Sequence, residues 1–148
     1  MIKNTITRLN ALIKEFPQKI KSLPYSKMKE PIEEGKWQRI EILGHLCDSA
    51  VNNISRVIRA QFEEKPLKVI TYNQKYWVDF NNYRSQPVKD VVTLWTVLNK
   101  QFLNIISIIP EEKLSKSCVL ESGETKNLGW LIDDYLVHTE YHFGQIFS

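Results

Sequence analysis

The chain reads as an all-α protein, a four-helix bundle with a long aromatic crossover loop. Three observations predict this. Four stretches carry apolar residues at three- and four-residue steps, the spacing that lines one face of a helix. Prolines, glycines and polar clusters separate them. Strand signals are nearly absent, so helix should make up at least about 60% of the chain, against a globular norm of about a third.

The first helix is expected from about Ile2 to Ser22, where Ile2, Ile6, Leu9, Ile13, Phe16 and Ile20 mark one face. Pro24 and the stretch to Gly35 break it. The second spans about Gln38 to Glu64, with Ile40, Leu43, Cys47, Ala50, Ile54, Val57 and Ile58 as its stripe, and ends before Pro66. In the third, Ser85 is the expected cap and Pro87 sits in the first turn. It carries Val88, Val91, Val92, Trp95, Leu98, Phe102, Ile105, Ile106 and Ile109, and Pro110 stops it. The fourth starts with Asn127 as cap and runs through Trp130, Leu131, Tyr135 and Leu136 to Ile146. The one strand-like stretch is Cys118 to Thr125, where Ser122-Gly123 turns either a short hairpin or an extended loop.

Composition bounds the class. The 148 residues suffice for one domain, 1–148, with a proper core. Twenty basic against seventeen acidic residues leave +3, well short of a nucleic-acid footprint. No apolar run reaches the roughly 18 residues of a membrane span, and the N-terminus lacks a signal peptide's apolar block. Cys47 and Cys118, at unrelated spacing, suggest reduced thiols in a cytoplasmic protein.

From Glu64 to Ser85 the chain spends about twenty residues, against the usual few between bundle helices. Tyr72, Tyr76, Trp77, Phe80 and Tyr83 crowd this stretch. They either lid the open end of the core or wall a pocket, for which Tyr72, Trp77 and Tyr83 are the candidates. Long crossovers also permit an order other than up-down-up-down.

All three histidines could serve one ion. His138 and His142 are four apart, hence on one helix face about 40° from each other. His45 stands far upstream, on the second helix. Three neutral imidazoles with the remaining positions left to water form a catalytic type of site, whereas closed four-ligand sites are structural. Packing alone also explains many pairs at this spacing. On the helical wheel, His45 lies opposite the apolar stripe, among Glu41, Asp48, Ser49, Asn52 and Arg56. It ligates only if that polar stripe lines a groove instead of facing solvent. Asp134, one turn before His138, and Asp48, one turn after His45, are the carboxylates that could orient an imidazole through its other nitrogen. Either could equally pair with a surface lysine, and neither is an evident general base. Arg56 could receive a cofactor's carboxylate, or simply be solvated.

Other metal and hydrolase chemistries fit less well. Thr139 stands where a gluzincin-type protease needs glutamate directly after its first histidine. Glu41 and Asp134, each four before a histidine, do not reproduce the Glu-x-x-His pairs of a di-iron bundle. No Gly-x-Ser-x-Gly elbow or Gly-rich phosphate loop is present.

The run from Trp37 through His45 to Asp48, with Arg56 further on, resembles the second-helix signature of the DinB-like superfamily. Leu136-Val-His138-Thr-Glu-Tyr-His142-Phe-Gly-Gln145-Ile is similar to its last-helix signature, and Tyr72 to Tyr83 and Gly123 to Leu128 resemble its middle loop and last turn. Order and spacing agree over nearly the whole chain. The nearest branch is the YfiT-like, bacillithiol-transferase-like group of metal-dependent hydrolases. The resemblance implies a bundle that binds one divalent metal through His45, His138 and His142, often as a homodimer. Zinc is favoured over nickel, iron or manganese, although imidazoles suit all four. Two activities on a small-molecule substrate are implied: transfer of a metal-activated low-molecular-weight thiol onto an electrophile, or hydrolysis. A metal-binding bundle with a structural or stress-response role is the alternative.

Overall fold

A computed structural model describes residues 2–148. It is 69% helical, counting α- and 3₁₀-helix. The four long helices are α1 (Lys3–Lys21), α3 (Arg39–Phe62), α5 (Val88–Ser107) and α6 (Leu128–Ile146). Between α1 and α3 lies the single turn α2 (Tyr25–Met28). The chief contacts run α1–α5, α5–α3, α3–α6 and α6–α1. Helices α1 and α3, consecutive among the long ones, therefore sit on a diagonal of the bundle. Simple up-down-up-down neighbours would not do this, and the long connections are what permit it.

The stretch expected as a long aromatic crossover loop carries secondary structure of its own. The stretch after α3 forms strand β1 (Leu67–Lys68), helix α4 (Gln74–Asn81) and a 3₁₀ turn at Tyr83–Ser85. Asn73 caps α4 by accepting from the Tyr76 N–H at 3.0 Å, and Asn82 ends it in the left-handed region at φ 56°. The aromatics divide by exposure. Tyr83 is 3% exposed and packs inward, while Phe80 is 83% exposed and stacks on Tyr76 outside. Ser85 does not cap the following helix, because it belongs to the 3₁₀ turn. Pro87 takes the N-cap position. Asn127 does cap α6, accepting from the Trp130 N–H at 2.8 Å.

The Ser122-Gly123 stretch is a hairpin between β2 (Ser117–Val119) and β3 (Thr125–Asn127), with Gly123 at φ 87°. β1 pairs in parallel with β2, Leu67 opposite Cys118, which gives a three-stranded patch in the order β1-β2-β3. This small sheet ties the crossover to the start of α6.

The centre of the bundle is aromatic. Phe16 stacks on Phe143 at 4.1 Å between centroids and lies 4.7 Å from Trp95, and Phe102 lies 4.2 Å from Tyr135. The Tyr135 hydroxyl donates to Asn99 Oδ1 at 2.5 Å, so the polar tip of this buried ring is satisfied. On the opposite side of α3, Gly44 lets the crossover approach. A methyl group there would overlap the Tyr83 ring.

Candidate metal centre

Helix α3 is buried on two faces. Its apolar stripe enters the aromatic core, and its polar stripe, Glu41, His45, Asp48, Ser49 and Asn53, is buried as well. That stripe lines the groove toward α6 and α4, which is the condition under which His45 can act as a ligand. His45 is 0% exposed.

The three histidines converge. Their ligand nitrogens all lie within 4.8 Å of one another, and His45 Nε2 is 3.2 Å from His138 Nε2. Two nitrogens bound to one ion at about 2.0–2.1 Å and a tetrahedral angle stand roughly 3.3 Å apart, so this pair already has the spacing of neighbouring ligands. Ring centroids are 4.6 to 5.1 Å apart, and the planes cross at 76° to 78°. Edge-on rings of this kind point nitrogens at a common centre instead of stacking.

Burial and mutual repulsion keep the imidazoles neutral. Desolvation, with His138 and then His142 adding to it, pushes His45 down to about 3. Desolvation also lowers His138 to about 4 and lowers His142. A neutral imidazole keeps the lone pair that a metal needs. His142 Nδ1 lies 2.7 Å from Gln145 Oε1. An amide oxygen only accepts, so Nδ1 carries the proton and Nε2 is left free to ligate. The donor set therefore fits one divalent ion.

Neighbours fix the scaffold. Trp37 lies against the His45 ring at 5.3 Å. The buried guanidinium of Arg39 donates to the carbonyls of Ile146, Ser148 and Glu30, pinning the end of α6 to the start of α3. Arg84 Nη2 donates to Glu41 Oε1 at 3.0 Å.

Of the two candidate carboxylates, Asp48 bonds to the crossover and not to an imidazole. Asp48 Oδ1 accepts from the Tyr83 hydroxyl at 2.6 Å and from Asn81 Nδ2 at 2.9 Å. Its other oxygen and His45 Nδ1 are buried without a partner among the described residues. Burial raises the Asp48 carboxyl to about 6, opposed by the two hydrogen bonds. Burial, and then the bond to Asp48, push the Tyr83 hydroxyl far up, so Tyr83 stays the donor. Burial also raises Asp134. The amide that bonds a histidine ring, Gln145, had no role in the sequence reading, although its place three residues after His142 puts it within reach on the helix.

Two cavities border the centre. One of about 760 Å³ includes His142, Gln145, Trp37, Glu41 and Arg84. The other, about 230 Å³, includes His138, Asp134, Ser49, Arg56 and Tyr72. Of the pocket candidates, Tyr72 and Arg56 line this second cavity. Tyr83 is packed behind Asp48, and Trp77 meets the edge of Tyr72 at 5.5 Å.

Comparison with known proteins places the molecule. The DinB superfamily family model matches residues 8–146. The chain belongs to the DinB superfamily. A Bacillus cereus (strain 03BB102) protein named "Putative metal-dependent hydrolase" is 28% identical over 149 residues, covering all of this chain and 84% of that protein. A Bacillus mycoides (strain KBAB4) protein of the same description is 27% identical over the same span. Among solved structures, YfiT from Bacillus subtilis, described as "a probable metal-dependent hydrolase with an unusual four-helix bundle topology", superposes with a TM-score of 0.82. It is 18% identical, and the match covers 99% of this chain and 86% of YfiT. A mycothiol-dependent maleylpyruvate isomerase gives 0.78 at 13% identity, with 99% of this chain on 60% of that one. At these identities the superpositions establish the fold.

Proposed function

We propose that the protein is a metal-dependent enzyme that transfers a small thiol onto an electrophilic small molecule, with one divalent ion held by His45, His138 and His142. The observation that carries the reading is the convergence of three neutral imidazole nitrogens between two separate cavities. An ion in that set acts as a Lewis acid and lowers the pKa of a coordinated water or thiol. The chain supplies the rest: Gln145 holds the His142 tautomer, and Trp37 and the buried groove keep bulk water from His45. Two cavities suit two reactants. In the transfer, a carbon–sulfur bond forms, the bond from that carbon to the leaving group breaks, and the thiol proton leaves with the departing anion.

Hydrolysis is the second reading, favoured by the names of the Bacillus relatives. Zinc is the proposed ion, because imidazole donors and a closely spaced nitrogen set suit it. The test is metal analysis of untagged protein, followed by thiol consumption with an aryl halide. One ion per chain and a thioether product are expected, both lost in His138→Ala. A fourth protein ligand, or a metal-free chain without helix, would make the ion structural and end the enzyme reading. Light scattering tests the proposed homodimer, for which the exposed Val51, Ile58 and Phe62 on α3 offer an apolar face.

A further inference from the structure

Arg56 is the cation that the metal centre leaves unused. It lies eleven residues after His45, three turns along α3 and about 20° off the same line. Its Nη2 donates to the Ile70 carbonyl at 2.7 Å, and its guanidinium lies 5.8 Å from the centre of the Tyr72 ring. No carboxylate pairs with it among the described residues, and burial alone drives its pKa down, with Tyr72 opposing. A guanidinium has five N–H donors, so most of them remain free here. The same cavity of about 230 Å³ holds Arg56 at one part of its wall and His138 at another. Asp134 also lines it, one turn before His138. With an ion at the histidines taking one end of a ligand, the guanidinium is the cation left to receive a carboxylate at the other.

We infer that the His138-side cavity is built for a small molecule bearing a carboxylate, received by the Arg56 fork while its reacting end sits at the three histidines. This rests on the metal-site part of the proposed function and adds the substrate class. Tyr72 backs the guanidinium, and Ser49 borders the same cavity. Ile70 holds one arm, so the fork is preorganised instead of ranging through solvent. Geometry also sets ligand length. His45 and Arg56 are about 16 Å apart along the helix, and the cavity that Arg56 shares with Ser49 and Asn53 extends from it back toward the histidines. That leaves a separation on the order of 10 Å between guanidinium and ion. After allowing for contacts at both ends, a spacer of roughly four to six bonds fits.

Untagged protein loaded with cobalt(II) tests this without any turnover. The probes are the monohydroxamates of succinic, adipic and suberic acids and their methyl esters, each binding the ion through the hydroxamate. Affinity is read from the cobalt visible band and by calorimetry. The adipic acid probe should bind about ten-fold more tightly than its ester, the gain of one charge-assisted fork. R56Q should erase that difference while leaving ester affinity and one metal per chain unchanged, and R56K should keep part of it. Acids and esters binding alike at every length would overturn the inference. If R56Q does not fold, the acid–ester comparison in the unaltered protein decides alone. An acid preference in a protein that transfers no thiol would leave this subsite standing and remove the transferase reading. If no hydroxamate perturbs the cobalt band, the metal reading fails and the inference falls with it.

Discussion

The two faces of α3 are buried to the same degree and do opposite things. One presents Leu43, Cys47, Ala50 and Val57 to the aromatic core, where burial removes apolar area from water and nothing else is required. The other presents Glu41, His45, Asp48, Ser49 and Asn53, and each polar atom there must find a partner or carry a cost. Most do. Arg84 meets Glu41, Tyr83 and Asn81 meet Asp48, and Asn53 bonds back to Ser49. His45 Nδ1 and one Asp48 oxygen do not. The difference teaches that amphipathicity separates apolar from polar and says nothing about whether the polar side is wet.

Substitutions on the two faces should therefore fail in different currencies. The largest effect is expected from His45→Ala, which removes the most enclosed nitrogen of the set. Metal affinity should fall by far more than the roughly 10–100-fold that loss of an orienting neighbour costs, while circular dichroism still shows a helical bundle. Metal analysis finding one tightly held ion in that variant would show that the polar face is not the metal face.

Leu43→Ala, two residues away on the apolar face, should do the reverse. A fully buried leucine cut to alanine costs about 2–5 kcal/mol. Urea unfolding should show that loss, with metal stoichiometry unchanged. A loss of metal equal to that in His45→Ala would mean that the two faces are not independent.

Gln145→Ala sharpens the comparison from within the polar side. The ligand stays and only its tautomer control goes, so metal affinity should drop by about 10–100-fold without loss of stoichiometry. An unchanged dissociation constant would show that water serves His142 equally well.

The last effect is expected from pH on the metal-free protein. His45 at about 3 and His138 at about 4, against an ordinary 6.5, bind fewer protons folded than unfolded across that interval. Stability should then be fully present above about 6.5 and decline as pH falls toward 4 and below. Asp48 works the other way: raised from 3.8 to about 6, it binds more protons folded and favours the native state as pH falls through that window. Asp134, also raised by burial, acts in the same sense as Asp48, and the three depressed imidazoles outweigh the two carboxyls, so the net slope is downward on acidification. Denaturation midpoints that rise between pH 6.5 and 4 would place the histidines in water.

How much was legible differs by element. The four long helices were readable because each carries an uninterrupted apolar period, and Asn127 was readable as a cap because its side chain acts on the backbone three residues on. The crossover was not. Its helix α4 buries one residue, Val78, so too little periodicity exists in Gln74–Asn81 to set it apart from a loop. The hairpin at Ser122-Gly123 stayed ambiguous because three-residue strands leave almost no alternation to count.

The histidines show the same division. That His138 and His142 share a face follows from helix geometry alone, since neighbours four apart in sequence lie one turn apart in space. Membership in the DinB superfamily was likewise written in residue order and spacing. His45 was different: its wheel position described a surface residue, and only the packing of α6 and α4 over the polar stripe made it an interior one. Tertiary structure also bonded Asp48 to Tyr83 instead of to an imidazole, and brought Arg56 into the cavity of His138. The reason is range. Local sequence governs what a helix can present on each face, whereas the environment of that face is decided by segments far along the chain, whose approach depends on details as small as the missing side chain of Gly44.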